Sequence, residues 1–307
     1  SGTVGTGDGI TLSSGGTNEA LDGSLDDVRI YSRALSADEI ASLAAGKHPE
    51  TSIATTTLGA TLDVHGDLIL NSGTLDVSAD SYTIKVGGDV IRNGGLFTAR
   101  SGSVTFDGAT TQRLDTDTIT LHDLTVNTGT MLDLGSATAL HADGALANNG
   151  ALKQSKVADG TKTAFLQITD GSGAQDSYLG VEIDPGSGHM GSTAVTVWGN
   201  QLCPSARGGV LRCFELAPTT PQAATVRFYY TEAERNGQDS ATLEVYHSNE
   251  ADKKWDKEAG LYERGGCGDA QYVQVTGVDE YSPFALSESH LHEWLRYWRY
   301  LPIVSKR

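Results

Sequence analysis

Cys203 and Cys213 enclose the loop CPSARGGVLRC, which contains one proline and two glycines. Two thiols across such a loop can staple a hairpin, and the oxidised pair would add roughly 2–4 kcal/mol of stability. Cys267, in Gly-Gly-Cys-Gly, is left over and is either free or paired with another chain. Three cysteines match no zinc-binding spacing. His290, His292 and Glu293 are metal-ligand types, but side chains at i and i+2 diverge on a helix. Asp26 with Asp27, and Asp115 with Asp117, could hold calcium through carboxylate oxygens. Neither pair belongs to a loop of defined geometry, so solvated turn carboxylates are the simpler reading. Trp198 and Trp255 could stack on sugar rings, although the core of a sandwich is the commoner place for a tryptophan. G-x-S-x-G, H-E-x-x-H and P-loop patterns are absent from the sequence, and Gly5-Thr6-Gly7-Asp8-Gly9 opens no strand–loop–helix unit. The expectation is a protein that is not an enzyme and uses no cofactor.

The elements that must position these residues are short strands. The 307-residue chain carries 37 glycines, and helical periodicity is confined to residues 36–45 and the last eighteen positions. That composition reads as all-β with many tight turns. The formal charge of −17 opposes nucleic acid as a partner, because phosphate contacts require a basic surface. No apolar run is long enough to span a membrane as a helix. Charge and cysteine usage together favour an oxidising, extracellular setting.

Residues 1–48 contain an alternating strand, Leu25-Asp26-Asp27-Val28-Arg29-Ile30-Tyr31, followed by a short helix. Ser36 can cap that helix, Glu39 completes a capping box, and Gly46 closes it. This block resembles the closing strand and helix of a laminin-G-like, concanavalin-A-like jelly roll. The resemblance implies the end of a domain, in a protein processed from a longer secreted precursor. It also implies an edge that another copy of the chain could complete, with Leu25, Val28, Ile30 and Tyr31 at the contact.

A linker over 49–57 leads to repeats over 58–160. Gly66-Asp67-Leu68-Ile69-Leu70-Asn71 is echoed at Gly88, and weaker copies start at His122 and Gly144, so the starts are 22, 34 and 22 residues apart. Strand–turn units with a period in the low twenties predict a β-solenoid. Together with Ser101-Gly102-Ser103-Val104-Thr105-Phe106-Asp107-Gly108, the stretch resembles repeats of large secreted bacterial surface proteins and adhesins.

Residues 161–289 hold about seven strand patterns, among them Ala194–Trp198, Arg212–Leu216, Ala224–Tyr230 and Gln271–Val275. They predict an immunoglobulin-like β-sandwich, and the motifs RCFELAP, FYYTEAERNG and YSPFAL resemble a terminal sandwich of secreted bacterial proteins. The tail, 290–307, is basic and aromatic. Leu291, Trp294, Leu295 and Trp298 form one helical stripe, flanked by Arg296, Arg299, Tyr300 and, beyond Pro302, Ile303.

Together these patterns predict a structural subunit of an extracellular filament, sheath or surface layer. Two unlike sticky ends on one chain give head-to-tail contacts that propagate into homopolymers. The alternative is a carbohydrate-binding or adhesin module with cell-surface glycans as partners.

Overall fold

The computed structural model describes residues 34–35, 37–44, 55–136, 139–169, 176–249, 254–267, 270–281 and 283–288. Within them the chain is all-β apart from one helix, α1 (Ala37–Ala44), and one 3-10 turn (Glu232–Arg235). The strand and tail expected to meet a neighbouring subunit, containing Leu25, Val28, Ile30 and Tyr31 and Leu291 to Ile303, lie outside the described residues. So do His290, His292, Asp26 and Asp27. Among the described residues, no helix is long and apolar enough to cross a membrane.

The chain divides into two compact units. The first is β-solenoid-like. Its strands are β1 (Thr55–Thr57), β2 (Leu62–Val64), β3 (Leu68–Leu70), β4 (Thr74–Asp76), β5 (Ile84–Val86), β6 (Val90–Arg92) and β7 (Leu96–Thr98). They continue as β8 (Ser103–Phe106), β9 (Thr111–Asp115), β10 (Thr118–Leu121), β11 (Asp123–Val126), β12 (Met131–Asp133), β13 (Ala139–Ala142) and β14 (Leu146–Asn148). Every third strand stacks in parallel: β2-β5-β8-β11-β14 form one face and β3-β6-β9-β12 another. The third face is built from β1-β4-β7 and from β10-β13. Apolar side chains at alternate positions point inward and align from rung to rung, Leu62 to Ile84 to Val104 to Leu124 on the first face. Ile84, Leu124 and Leu132 are fully buried, as are Val64, Val86, Phe106 and Val126. A small void inside the coil is lined by Leu68, Leu70, Ile84, Val90, Phe106 and Leu121 among others; with apolar walls alone it has nothing to hold a water.

Polar groups at the corners fix this stacking. Asp67 Oδ1 accepts the backbone N–H of Asp89, Asp89 Oδ1 accepts that of Arg113, and Asp123 Oδ1 accepts that of Ala145, each at 2.7 Å. A Cβ on Gly88 or Gly144 would lie 2.3 Å from the carboxylate of Asp67 or Asp123 on the rung before. Asp67 and Asp123 therefore each face a glycine one rung later, whereas the position before Arg113, one rung after Asp89, is Gln112. The repeat copies starting at 66 and 88 lead into β3 and β6, whereas those starting at 122 and 144 lead into β11 and β14 on a different face. The 34-residue gap is thus a full rung, from β6 to β9, plus two further strands, and the repeating motif marks corners in general.

The second unit comprises 148–167 and, within the described residues, 178–288; the segment 168–177, with β17 (Ile168–Thr169) and most of β18 (Asp176–Tyr178), belongs to the first. The strands of the second unit are β15 (Ala151–Asp159), β16 (Thr163–Phe165), β19 (Val181–Asp184), β20 (His189–Gly199), β21 (Arg212–Pro218) and β22 (Ala224–Thr231). β23 (Glu244–Asn249), β24 (Lys254–Lys257), β25 (Tyr262–Cys267), β26 (Ala270–Val278) and β27 (Pro283–Ser287) complete it. They form two antiparallel sheets, β16-β19-β22-β26-β25 and β15-β20-β21-β27-β23-β24. Phe228 of the first sheet meets Phe214 and Phe284 of the second, with ring centroids 5.1 and 5.2 Å apart. The apolar run Phe165-Leu166-Gln167-Ile168, which reads as one strand from its sequence, is broken at Leu166, whose φ is +54°. Its buried N–H turns to Gln154 Oε1 at 2.8 Å, so Phe165 and Ile168 serve different strands.

Candidate functional site

A connected arrangement of fixed polar and aromatic groups lies on the outer face of the five-stranded sheet. Strand alternation sends Val181, Ile183, Val226, Phe228, Val273 and Val275 into the core and places their neighbours on the opposite face. Glu182, Arg227, Gln274 and Glu263 are successive cross-strand partners on β19, β22, β26 and β25. Arg227 Nη1 stands 3.1 Å from Glu182 Oε2, and its Nε and Nη2 donate to Gln274 Oε1 at 3.2 and 3.0 Å. Gln274 Nε2 in turn donates to Glu263 Oε2 at 3.1 Å.

A second row, Tyr229 and Tyr272, runs beside the first. The Tyr229 hydroxyl donates to Glu182 at 2.9 Å and that of Tyr272 to Glu263 at 2.7 Å. The Arg227 guanidinium covers the Tyr272 ring at 4.1 Å. Tyr272 lies close over β25 because Gly265 is beneath it: a Cβ there would sit 2.7 Å from the phenol oxygen. Burial, with the hydrogen bond to Glu182 adding to it, pushes the Tyr229 phenol up to about 12. Tyr272 is raised chiefly by its hydrogen bond to Glu263. The rows hold these hydrogen-bonding groups in fixed positions relative to one another.

The outer face of the six-stranded sheet carries four of the residues singled out from the sequence, Cys203, Cys213, Trp198 and Trp255. Cys203 and Cys213 are disulfide-bonded. The bridge packs with Tyr246, Trp255 and Ala285 and against partly buried Trp198 and Ala206. Both tryptophans are therefore engaged in packing against the disulfide, and Trp255 is only 5 % exposed. Cys267 ends β25; its side chain lies outside the description. Asp115 and Asp117 are exposed, and no group of three or more metal-ligating side chains occurs among the described residues.

Two ionic sites have no counterpart in the sequence reading. Arg212 and Glu234 form a buried pair, with Nη2–Oε2 at 2.6 Å and Nε–Oε1 at 3.0 Å. His247 of β23, in line with Phe214 and Phe284 across the same sheet, stands between two carboxylates. Its Nδ1 is 2.8 Å from Glu258 Oε1 and its Nε2 is 3.2 Å from Glu280 Oε2. The Glu258 hydrogen bond and the neighbouring carboxylates raise the imidazole's proton affinity against the opposing effect of burial. Neither partner could be chosen from sequence, since each side chain is brought in by a separate connection.

No protein-family model, curated protein or solved structure matches this chain.

Proposed function

We propose that the protein is a structural, non-enzymatic subunit of an extracellular bacterial filament, sheath or surface layer. In this reading residues 1–48 are the closing part of a laminin-G-like domain, and the second unit is an immunoglobulin-like sandwich. Residues 1–46, 290–307 or both cross between copies in head-to-tail contacts. The observation that carries the reading is the ladder of corner aspartates, Asp67, Asp89 and Asp123, each holding the backbone of the next rung. Polar side chains committed to rung-to-rung bonding suit a load-bearing element. The alternating strand at Leu25–Tyr31 and the stripe Leu291, Trp294, Leu295 and Trp298 supply two unlike adhesive segments.

Negative-stain electron microscopy with size-exclusion chromatography tests this on the full chain and on deletions of 1–46 and of 290–307. Filaments from the full chain and soluble monomers from at least one deletion are expected. Monomeric full chain, or polymers that persist in both deletions, would refute it.

A second reading, an adhesin that binds cell-surface glycans, is favoured by the Glu182–Arg227–Gln274–Glu263 row beside Tyr229 and Tyr272. Glycan-array binding by a monomeric chain, lost in Arg227→Ala, would select it.

A further inference from the structure

We propose that His247 is a proton-operated clamp that ties the connection between β26 and β27 to the edge of the six-stranded sheet. The geometry itself sets the protonation requirement. Both ring nitrogens face carboxylate oxygens, Nδ1 that of Glu258 at 2.8 Å and Nε2 that of Glu280 at 3.2 Å. A neutral imidazole has one N–H and one lone pair, so it can donate to only one of them. Its other nitrogen would then oppose a carboxylate, lone pair to lone pair. Only the imidazolium satisfies both partners.

The groups around the ring come from every element packed against it. Asp256 of β24 is its cross-strand partner, Glu258 follows β24, and Glu280 lies in the β26–β27 connection; β27 contributes the uncharged ring of Phe284, 6.4 Å away. All three titratable neighbours are acidic, and each favours the charged ring.

The two arms differ in what they can do when the proton leaves. Glu258 has a side chain only 9 % exposed. Its backbone is held at both ends, the N–H to Val245 O at 3.0 Å and the carbonyl by the Tyr262 hydroxyl at 2.9 Å. Glu280 is 72 % exposed and finds water as a ready alternative. Deprotonation therefore releases Glu280, while Tyr281, bonded to Gln222 O at 2.7 Å, keeps the neighbouring backbone in place. The result is a local loosening at one end of the second unit, reversible by a single proton.

The sign follows from the raised proton affinity. The clamp's contribution is fully present below the ordinary imidazole value and disappears as pH rises through the folded-state value. Side-chain NMR of the full chain, with His247 assigned by loss of its signals in His247→Gln, reads this directly. Below its midpoint the wild-type ring should show protons on both nitrogens, and its midpoint should lie above the ordinary imidazole value of about 6.5.

Glu280→Gln, a change at an exposed site, should lower the ring's proton affinity by up to about fivefold and leave the fold intact. Thermal melts of wild type should fall between pH 6 and 9 by more than those of His247→Gln. A midpoint at or below 6.5, or one unmoved in Glu280→Gln, would overturn the clamp. Melting curves with the same pH dependence in wild type and His247→Gln would do so as well.

Discussion

Arg212 is buried within the second unit among acceptors and an aromatic ring. Besides the paired contacts to Glu234, its Nη1 donates to the carbonyls of Leu179 at 2.7 Å and Tyr229 at 2.9 Å, and the guanidinium lies 4.3 Å from the Tyr178 ring. Glu234 also accepts from the N–H and hydroxyl of Thr231, each at 2.9 Å, closing the cap of the 3-10 turn. Burial pushes the Tyr178 phenol up to about 12. Removing one member of such a pair strands the other charge. Arg212→Met is expected to destabilise the protein by about 3–5 kcal/mol in urea melts, with much of the loss recovered when Glu234 is also made apolar. Equal losses in the single and double variants would show that packing, and not charge, dominates.

Asp76 offers the opposite pH dependence to His247. The hydrogen bond from Arg100, at 2.5 and 2.6 Å, holds its carboxyl below the ordinary value, with the Ser78 N–H adding to the effect against burial. Its stabilisation is present above the ordinary carboxyl value and fades as pH falls through the lowered one. Asp76→Asn should therefore lose stability at neutral pH but show a shallower acid-side decline, measured by thermal melts from pH 2 to 6.

At the scale of elements, the solenoid corners and the stapled loop use different means to hold short strands. Strands of three or four residues such as β2, β3 and β5 have few ladder bonds, so the corner aspartates add bonds where the ladder stops. Asp123→Ala removes one acceptor and should cost about 1 kcal/mol. Gly88→Ala is expected to cost more, roughly 1–3 kcal/mol. Its Cβ would meet backbone as well as Asp67, with Gly66 C at 2.5 Å. Adding Asp67→Ala should consequently fail to rescue it, and urea denaturation distinguishes the two outcomes. Reduction of Cys203–Cys213 should cost about 2–4 kcal/mol and alter tryptophan fluorescence, because Trp198 and Trp255 pack on the bridge.

For the whole molecule, electrostatics and assembly are linked through a net charge of −17. Like-charged chains repel one another over a screening length of about 8–10 Å at physiological salt. In the proposed assembly the basic tail would attract acidic neighbours over the same range. Light scattering across ionic strength separates the two contributions: the full chain should lose a salt-weakened component that the 290–307 deletion lacks. Identical salt profiles for both chains would remove the tail from the assembly scheme.

Local patterns carried the all-β character, the solenoid-like repeats and the Cys203–Cys213 bridge. Each is written within about two dozen residues, by side-chain alternation, by the recurrence of Gly-Asp-apolar turns or by two thiols flanking one loop. The 34-residue interval has no explanation at the level of sequence, which shows recurrence but not which corner of the coil a motif occupies. The tertiary structure alone decided the partners of Arg212, His247 and Arg227, and whether Trp198 and Trp255 face a ligand or a disulfide. Arg227 reaches Gln274 across 47 residues, and Glu280 reaches His247 from beyond three further strands. Such pairings depend on strand order in the sheets, which is set by burial of the whole core and leaves no trace in the spacing of the residues it joins.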